Sequence, residues 1–306
     1  MSETIGELPA MPERPRDAHK GTSGTVGVVG GCVDDSGVRM LGAPSLVALG
    51  ALRAGCGLVR VAAPEPLMNA VLTLAPFAVG HPIGVTDRGV LDASAGAVVL
   101  DALTGSCDAV VMGPGLGRAE SVRQLVVRGV AREMMGRLGA WVLDADALHA
   151  LSETRELAGD LRGACVLTPH PGEARRLMDA LAITGDPAGT GEQRRDACES
   201  IARRLGAIVV LKGRGTVVSD GQRSWVCDRG HPCLATGGTG DVLGGVIGAC
   251  IARRREGDPG DLLTSVCHGV RAHAVAGERW ARQRGAASGL DPRELADLVP
   301  VSLEEP

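Results

Sequence analysis

The run DAVVMGPG at residues 108–115 shows the pattern that decides the fold: a short apolar stretch closed by glycine and proline. Four other runs share this form and end in Gly, Pro, Asp or His: TVGVVGG (25–31), GLVRVAAP (57–64), AWVLDADA (140–147) and ACVLTPHP (164–171). Such runs are apolar on both faces, which is typical of buried strands in a parallel sheet. Polar groups therefore follow the carboxyl ends of the predicted strands.

Helical segments separate these strands. The sequence predicts helices over 44–54, 121–138, 172–181 and 192–205, and later over about 241–255 and 262–284. Between these two groups, AIVVLKG (207–213) precedes TVVSDG (216–221) and SWVCD (224–228), and the turn residues of the last pair predict an antiparallel hairpin. The alternation of strand and helix predicts an α/β fold with a doubly wound, mostly parallel sheet.

One domain boundary is expected near the amino terminus. Residues 1–18 are rich in proline and charge, and we expect them to form an extended arm. Residues 19–306 show neither an internal repeat nor a linker. We therefore expect them to form a single domain.

Composition excludes several classes of protein. A net charge of −4 does not suit a nucleic-acid binder, and the four aromatic residues (Phe77, Trp141, Trp225 and Trp280) are too few for base stacking. No apolar run reaches the length of a membrane span, and residues 1–17 lack the apolar core of a signal peptide. The nine cysteines contain no CxxC pair and suit reduced thiols rather than a zinc site. We expect a cytoplasmic protein with no membrane or nucleic-acid partner.

The segment ATGGTGDVLGGVIGACIA (235–252) carries the strongest chemical signal. Glycines and threonines open an apolar helix there, and the N–H groups of such a helix start bind anions. The predicted anion hole is formed by Gly238, Thr239 and Gly240. Asp241 follows it directly, and a carboxylate beside a bound phosphoryl group suits a base that removes a hydroxyl proton. A helix cap with closely packed glycines is the alternative.

Two other strand ends carry candidate binding residues. GPGLG (113–117) lacks the spacing of a dinucleotide fingerprint, and the chain has no GxxxxGK[ST] motif, but its glycines would let a ligand approach the backbone. A plain turn is the alternative. In TPHPGEARRL (168–177), two prolines restrict His170, which suits a binding site, although a capping or packing histidine has the same pattern. Glu173, in the first turn of the predicted helix, would interact favourably with the helix dipole whether or not it also binds a metal.

Lys212 and two aspartates complete the candidate site. Lys20 and Lys212 are the only lysines among 32 basic residues, and Lys212 opens the loop of LKGRGT (211–216). A lysine at phosphate acts as a compact point charge, so Lys212 is a candidate phosphate contact, and a solvated loop lysine is the alternative. In LDADAL (143–148), Asp144 and Asp146 could bind Mg²⁺ through water or cap the next helix, and we favour the cap for Asp146.

Together these motifs resemble one family, the ribokinase-like NAD(P)H-hydrate dehydratases. The matching stretches keep the family's order over residues 19–252: HKG, GTVGVVGG, GAPSLVALGALRAGCGLVRVAAPEP, DAVVMGPGLGR, VLDADAL, LTPHPGEARRL, VVLKGRGTVV and LATGGTGDVLGGVIGA. GLDPRELADLVP (289–300) is similar to the family's closing helix. GTGD alone fits many small-molecule kinases, whereas LTPHPGE, KGxGT and ATGGTGD together are more specific. The resemblance implies a three-layer α/β/α ribokinase-like sandwich around a mostly parallel, doubly wound sheet.

The resemblance also implies a reaction. An ADP-dependent (S)-NAD(P)H-hydrate dehydratase moves phosphate from ADP, or from ATP in some members, to the hydroxyl of a hydrated nicotinamide cofactor. Phosphate then leaves and restores NADH or NADPH, and Mg²⁺ offsets charge on the phosphates. By this resemblance Asp241 activates the hydroxyl. The nucleotide would contact Lys212, Gly213, Arg214, Gly215, Thr216 and Gly240, and the hydrated cofactor would contact Ala43, Gly115, His170 and Asp241.

The resemblance also has implications for partners, and two other functions would share parts of the same sequence pattern. It implies a homotetramer, with the related epimerase supplied by a separate protein. A kinase of the same fold, acting on a thiazole, pyrimidine or pyridoxal-like alcohol, would share the anion hole, but LTPHPGE and KGxGT disfavour it. A silent nucleotide-binding protein is disfavoured by the presence of Asp241. His149, where Asn is usual, and the long segment 32–41 depart from the family pattern.

Overall fold

A ten-stranded sheet forms the centre of the protein. The computed structural model describes residues 3–34, 36–130, 139–154, 161, 165–254, 258 and 260–305. The strands are β1 (Glu3–Thr4), β2 (Thr25–Val29), β3 (Cys32–Val33), β4 (Arg39–Met40), β5 (Leu58–Pro64), β6 (Val79–Ile83), β7 (Ala109–Met112), β8 (Ala140–Leu143), β9 (Cys165–Leu167), β10 (Ile208–Leu211), β11 (Thr216–Ser219) and β12 (Arg223–Cys227). β3 and β4 form a separate hairpin, and the others lie in the order β1-β12-β11-β10-β9-β8-β7-β2-β5-β6.

The central sheet is parallel except at one strand. β11 runs antiparallel to both β10 and β12, and every other neighbouring pair is parallel. The turn between β11 and β12 forms because Asp220 Oδ1 accepts hydrogen bonds from the N–H groups of Gln222 and Arg223. The predicted mostly parallel sheet and the predicted hairpin are both confirmed.

Helices cover both faces of the sheet. They are α1 (Gly42–Arg53), α2 (Met68–Leu74), α3 (Ala93–Thr104), α4 (Glu120–Val130), α5 (Asp146–Ser152), α6 (Pro171–Ala180), α7 (Gly191–Leu205), α8 (Thr239–Ala252), α9 (Leu262–Arg284) and α10 (Pro292–Leu303). Alternate strand residues feed two cores: in β2, Val26 and Val28 pack with α1, α2 and α8–α10, whereas Val29 packs with α3–α7. The result is the three-layer α/β/α sandwich that the resemblance implies.

Glycines bring α8 very close to α1. A Cβ atom on Gly245 would lie 2.0 Å from the carbonyl oxygen of Val47, and one on Gly50 would lie 2.4 Å from that of Val242. Any side chain at these positions would force the two helices apart, because such distances are shorter than atomic contact. The small residues of α8 therefore fix where the start of this helix sits above the sheet.

The predicted helices agree with the observed ones to within a few residues. The helix predicted over 262–284 is α9, and those predicted over 172–181 and 192–205 are α6 and α7, each beginning one residue earlier than predicted. Residues 131–138 and Arg255, which the sequence also placed in helices, lie outside the described residues.

The amino-terminal segment is attached to the sheet by its first strand. The N–H groups of Glu3 and Ile5 donate to the carbonyls of Gln222 and Ser224, which pairs β1 in parallel with β12. Ile5, Leu8 and Met11 pack against the core on the α8 side. The division into an arm over 1–18 and a domain over 19–306 stays a prediction.

All nine cysteines are buried, and none forms a disulfide. Burial raises the pKa of several of these thiols, to about 12 for Cys165. Within the part of the chain that the structure describes, no helix is both long enough and apolar enough to cross a membrane.

Candidate active site

The carboxyl edge of the sheet contains a switch point between β2 and β7. From β2 the chain continues outward to β5 and β6, and it then crosses to β7 and proceeds the other way to β10. The loops after β2 and β7 meet, because the N–H of Gly31 donates to the carbonyl of Pro114 at 3.1 Å. A Cβ atom on Gly30 would lie 2.5 Å from the same oxygen. Ligands of open α/β sheets bind in the crevice at such a point.

Two predicted substrate contacts, Ala43 and Gly115, lie together beside this crevice. Gly115 has a φ of +65°. A Cβ atom on it would lie 3.3 Å from the Cβ of Ala43 and 3.0 Å from the Cβ of Met40. Met40 belongs to the β3–β4 hairpin, which forms much of the segment that departs from the family pattern. The structure brings the two predicted positions together, and their contact with a ligand stays a prediction.

The start of α8 presents unpaired backbone donors. Gly238 precedes the helix with a φ of +92°. Thr239 turns its hydroxyl back to the carbonyl of Thr236 at 2.8 Å. Across the described residues, the N–H groups of Gly240 and Asp241 donate no hydrogen bond. A helix start with unpaired donors attracts anions, so the geometry suits the predicted anion hole.

Asp241 is a half-buried carboxyl group in the first turn of α8. Its side chain makes no capping hydrogen bond, so the capping interpretation of this residue is wrong. Burial and the nearby charge of Asp144 raise the pKa of Asp241 to about 7, against the opposing effect of Lys212. A carboxyl group that titrates near neutral pH is suited to accept a proton from a substrate.

Lys212 connects three of the predicted motifs. Its ammonium donates to Asp144 Oδ1 at 2.7 Å and lies 3.9 Å from Glu173 Oε2. A Cβ atom on Gly240 would lie 3.7 Å from the same nitrogen, which puts Lys212 beside the anion hole. Burial lowers the pKa of Lys212, but the two carboxylates outweigh it and the net shift is upward. The side chain is only 20% exposed, so the solvated-lysine alternative is wrong.

His170 and Asp146 each have a structural partner. His170 precedes α6, where its Nδ1 accepts from the N–H of Gly172 at 3.0 Å and its own N–H donates to Glu173 Oε2 at 2.8 Å. The capping alternative therefore describes His170 in this structure, and its contact with substrate stays a prediction. Asp146 does not cap α5. Its Oδ2 accepts from the N–H of Gly117 at 2.8 Å, so the cap that we favoured is wrong.

The predicted nucleotide loop, residues 212–216, connects β10 to β11. Thr216 Oγ1 donates to the carbonyl of Gly213 at 2.9 Å and closes the turn. Gly213 and Gly215 have φ values of +141° and +65°, which other residues rarely adopt. Gly213 and Arg214 are exposed. The outer face of the loop is therefore open to a ligand.

Two buried residues beneath the site are absent from the sequence predictions. His273 on α9 lies with Nε2 at 2.9 Å from the carbonyl oxygen of Thr239. Burial lowers the pKa of His273 to about 4, so its ring is neutral and donates its Nε2–H there. Arg194 on α7 donates to the carbonyls of Leu211 and Lys212, at the start of the nucleotide loop. The sequence signal for Arg194 was its position, since it is a charged residue on the apolar face of a predicted helix. No sequence signal marked His273.

No protein-only metal site is present in the described residues. No three His, Cys, Asp or Glu side chains among them lie close enough together to hold an ion. Asp144 accepts a hydrogen bond from Lys212, and Asp146 accepts one from the N–H of Gly117. Binding of Mg²⁺ to these two aspartates through water stays a prediction.

The fold is ribokinase-like, with a mostly parallel sheet between two helical layers, and the candidate site lies at the start of α8. The solved structure of the ADP/ATP-dependent NAD(P)H-hydrate dehydratase from Bacillus subtilis, co-crystallised with ATP and Mg²⁺, matches with a TM-score of 0.74 and 27% identity. The match covers 96% of this chain and 93% of that one.

Sequence comparison identifies the family within this class. The profile of the NAD(P)H-hydrate dehydratase family matches residues 26–301, and the chain belongs to that family. The ADP-dependent (S)-NAD(P)H-hydrate dehydratase of Neisseria meningitidis is 37% identical, over 92% of this chain and 86% of the relative. The bifunctional NAD(P)H-hydrate repair enzyme of Gloeobacter violaceus is 39% identical over 92% of this chain. The chain spans about half the length of that relative, since the match covers 50% of it.

Proposed function

We propose that the protein is an ADP-dependent (S)-NAD(P)H-hydrate dehydratase. The observation that carries this proposal is the position of Asp241, a half-buried carboxyl group with a pKa of about 7 at the start of α8, where backbone N–H groups are unpaired. The start of α8 would hold the transferring phosphoryl group, and Asp241 would accept the proton of the substrate hydroxyl. The family supplies the substrate class, a hydrated NADH or NADPH.

The proposed reaction proceeds in two steps. The ring hydroxyl attacks the terminal phosphorus of ADP, which forms a phosphate ester and releases AMP, and the hydroxyl proton passes to Asp241. The lone pair of the ring nitrogen then expels phosphate, and loss of a ring proton restores the double bond of NADH or NADPH. A phosphoryl donor is needed because hydroxide is a poor leaving group and phosphate is a good one.

The contacts proposed for the two ligands are those that the family resemblance implies. The exposed face of residues 212–216 would bind the nucleotide, together with Gly240. Ala43, Gly115 and His170 would contact the hydrated cofactor. Mg²⁺ would be held mainly by the phosphates of the nucleotide, since the described residues form no metal cage of their own.

The assembly and setting of the protein are also proposals. We propose a cytoplasmic homotetramer that acts alongside an epimerase on a separate chain. Sedimentation velocity tests the assembly, because four chains of 31.3 kDa sediment much faster than one. A single species with the mass of one chain would contradict the tetramer.

Absorbance at 340 nm tests the activity. The protein is mixed with hydrated NADH, Mg²⁺ and either ADP or ATP, and the expected result is a nucleotide-dependent rise that is faster with ADP. Asp241→Asn serves as the control and should abolish the rise while it still binds ADP. A flat trace from folded protein that binds ADP would overturn the proposal and favour the kinase of the same fold, whose phosphorylated product is stable.

A further inference from the structure

Arg194 is a buried cation under the predicted nucleotide loop. It projects from the inner face of α7, and only 8% of it is exposed. Ala197, Cys198 and Ile201 follow on the same face of this helix and are buried in the core on the α3–α7 side. A charged residue therefore occupies a position that the helix otherwise fills with apolar side chains.

The contacts of the guanidinium are all with neutral groups. Nη1 donates to the carbonyl of Pro187 at 3.0 Å, and Nη2 lies 3.2 Å from the carbonyl oxygen of Leu211 and 3.4 Å from that of Lys212. Nε is buried and has no hydrogen-bond partner in the described part of the chain. No Asp or Glu side chain among the described residues forms an ion pair with Arg194.

A buried charge without a counterion is costly, and an apolar side chain of similar volume would fill this space at lower cost. Burial lowers the pKa of Arg194, yet a guanidinium stays protonated at neutral pH. The loop backbone lies directly on this charge, because a Cβ atom on Gly213 would lie 3.0 Å from Nη2. The opposite face of Gly213 is open to solvent. The positive potential of Arg194 is therefore directed at the surface where the nucleotide is proposed to bind.

We propose that Arg194 is a positioning residue for the diphosphate of the nucleotide. Its planar guanidinium holds the backbone from Leu211 to Gly213 in place from beneath. The phosphate groups of the ligand supply the counter-charge that the protein does not. This inference rests on the proposed function, because it needs a nucleotide in the 212–216 loop. It goes further by assigning recognition of the diphosphate, rather than of the nucleoside, to a residue that does not touch the ligand.

Three variants separate charge from shape. Arg194→Gln removes the charge and keeps hydrogen-bond donors. Arg194→Lys keeps the charge and loses the planar guanidinium, and Arg195→Met is the matched control. Arg195 is the next residue of α7, and its side chain donates a 3.4 Å hydrogen bond to Thr4 Oγ1. Calorimetric titration with ADP and with adenosine gives the affinity that the diphosphate adds. Thermal melting of each variant without ligand monitors folding.

Arg194→Gln should lower the affinity for ADP at least about tenfold and leave that for adenosine within about twofold. Arg194→Lys should lower the affinity for ADP about threefold, and Arg195→Met should not change it. An equal loss for ADP and adenosine in Arg194→Gln would overturn the role of the charge. Should Arg194→Gln fail to fold, Arg194→Lys decides, because an unchanged affinity for ADP would overturn the proposal. Wild-type protein that binds no ADP would instead overturn the proposed function.

Discussion

The half-buried carboxyl group of Asp241 gives the site a proton acceptor that changes state near neutral pH. Its basic form grows as pH rises through about 7. We therefore expect kcat/KM for the hydrated cofactor, at saturating ADP, to rise about tenfold per pH unit below 7 and to level off above it. Initial rates at 340 nm between pH 5.5 and 8.5 measure this. A rate that stays flat over this range would remove Asp241 from the role of base.

The same ionisation also affects stability. The pKa of Asp241 is about 7 in the folded protein and near 3.8 when unfolded, so the folded state loses stability as pH rises from about 4 through 7. Asp241→Asn removes this loss. We expect the variant to gain up to about 4 kcal/mol in free energy of unfolding relative to wild type between pH 4 and pH 8. Urea unfolding at both pH values measures the gain, and an equal difference between the two proteins at both values would contradict the buried ionisation.

Lys212 and Lys20 form a natural pair of variant and control, because the chain has no other lysine. Lys212→Ala leaves the buried carboxylate of Asp144 without its partner and removes a positive charge beside Gly240. Binding of ADP should weaken at least about tenfold, and binding of the hydrated cofactor should weaken less. Lys20→Ala, at an exposed position, should change neither. Equal losses for both ligands in Lys212→Ala would show that the nucleotide loop is assigned to the wrong ligand.

Some of these contacts lie beyond what a sequence can show. The position of Lys212 at a strand end is visible in the sequence, but its partner Asp144 is 68 positions away, and only the sheet brings them together. The helix start at residues 238–240 was predictable, because glycines and threonines precede an apolar run there. The helix cap expected at Asp146 was wrong, because its carboxylate accepts a hydrogen bond from the N–H of Gly117 in the loop after β7.

At the scale of elements, the contact of α8 with α1 decides where the predicted anion hole lies. Gly245→Ala would put a Cβ atom 2.0 Å from the carbonyl oxygen of Val47. We expect a loss of about 3 kcal/mol in free energy of unfolding and a fall in activity, because the helices must separate. Gly244→Ala is the matched control. Its Cβ would meet only Val111 at 3.4 Å, and alanine favours helix by up to about 1 kcal/mol.

Urea unfolding of the two glycine variants measures this difference. If Gly245→Ala were as stable as Gly244→Ala, α8 would not be held by close contact with α1. The kinetic assay adds a second comparison, since only the variant that moves α8 should lose activity.

Strands that are buried on both faces were the easiest to predict from the sequence. β2, β7 and β8 are buried at every position and almost entirely apolar, so their continuous runs are visible without any knowledge of neighbours. β6 (VGHPI) is largely half-exposed, and it is a strand because β5 lies beside it. β1 has two residues and exists only through its pairing with β12, which lies more than 200 positions away. Such elements depend on tertiary contacts that local pattern does not contain.

At the scale of the whole molecule, burial of all nine thiols makes their reactivity a measure of global packing. Thiol reagents attack the thiolate, and burial disfavours that form. We expect native protein to release less than about one equivalent with dithionitrobenzoate over minutes, and nine equivalents in guanidinium chloride. Rapid reaction of two or more thiols in native protein would contradict the packing described. ADP should not change the native result, because none of the cysteines belongs to the candidate site.

The scarcity of lysine has a spectroscopic consequence. Reductive methylation with ¹³C-formaldehyde keeps the positive charge of an amine and would label only Lys20, Lys212 and the terminal amine. One of these lysines is exposed, and the other lies between Asp144 and Glu173, so their methyl resonances will differ in chemical shift. The candidate site thus contains a position for a nearly background-free magnetic resonance probe that needs no mutation.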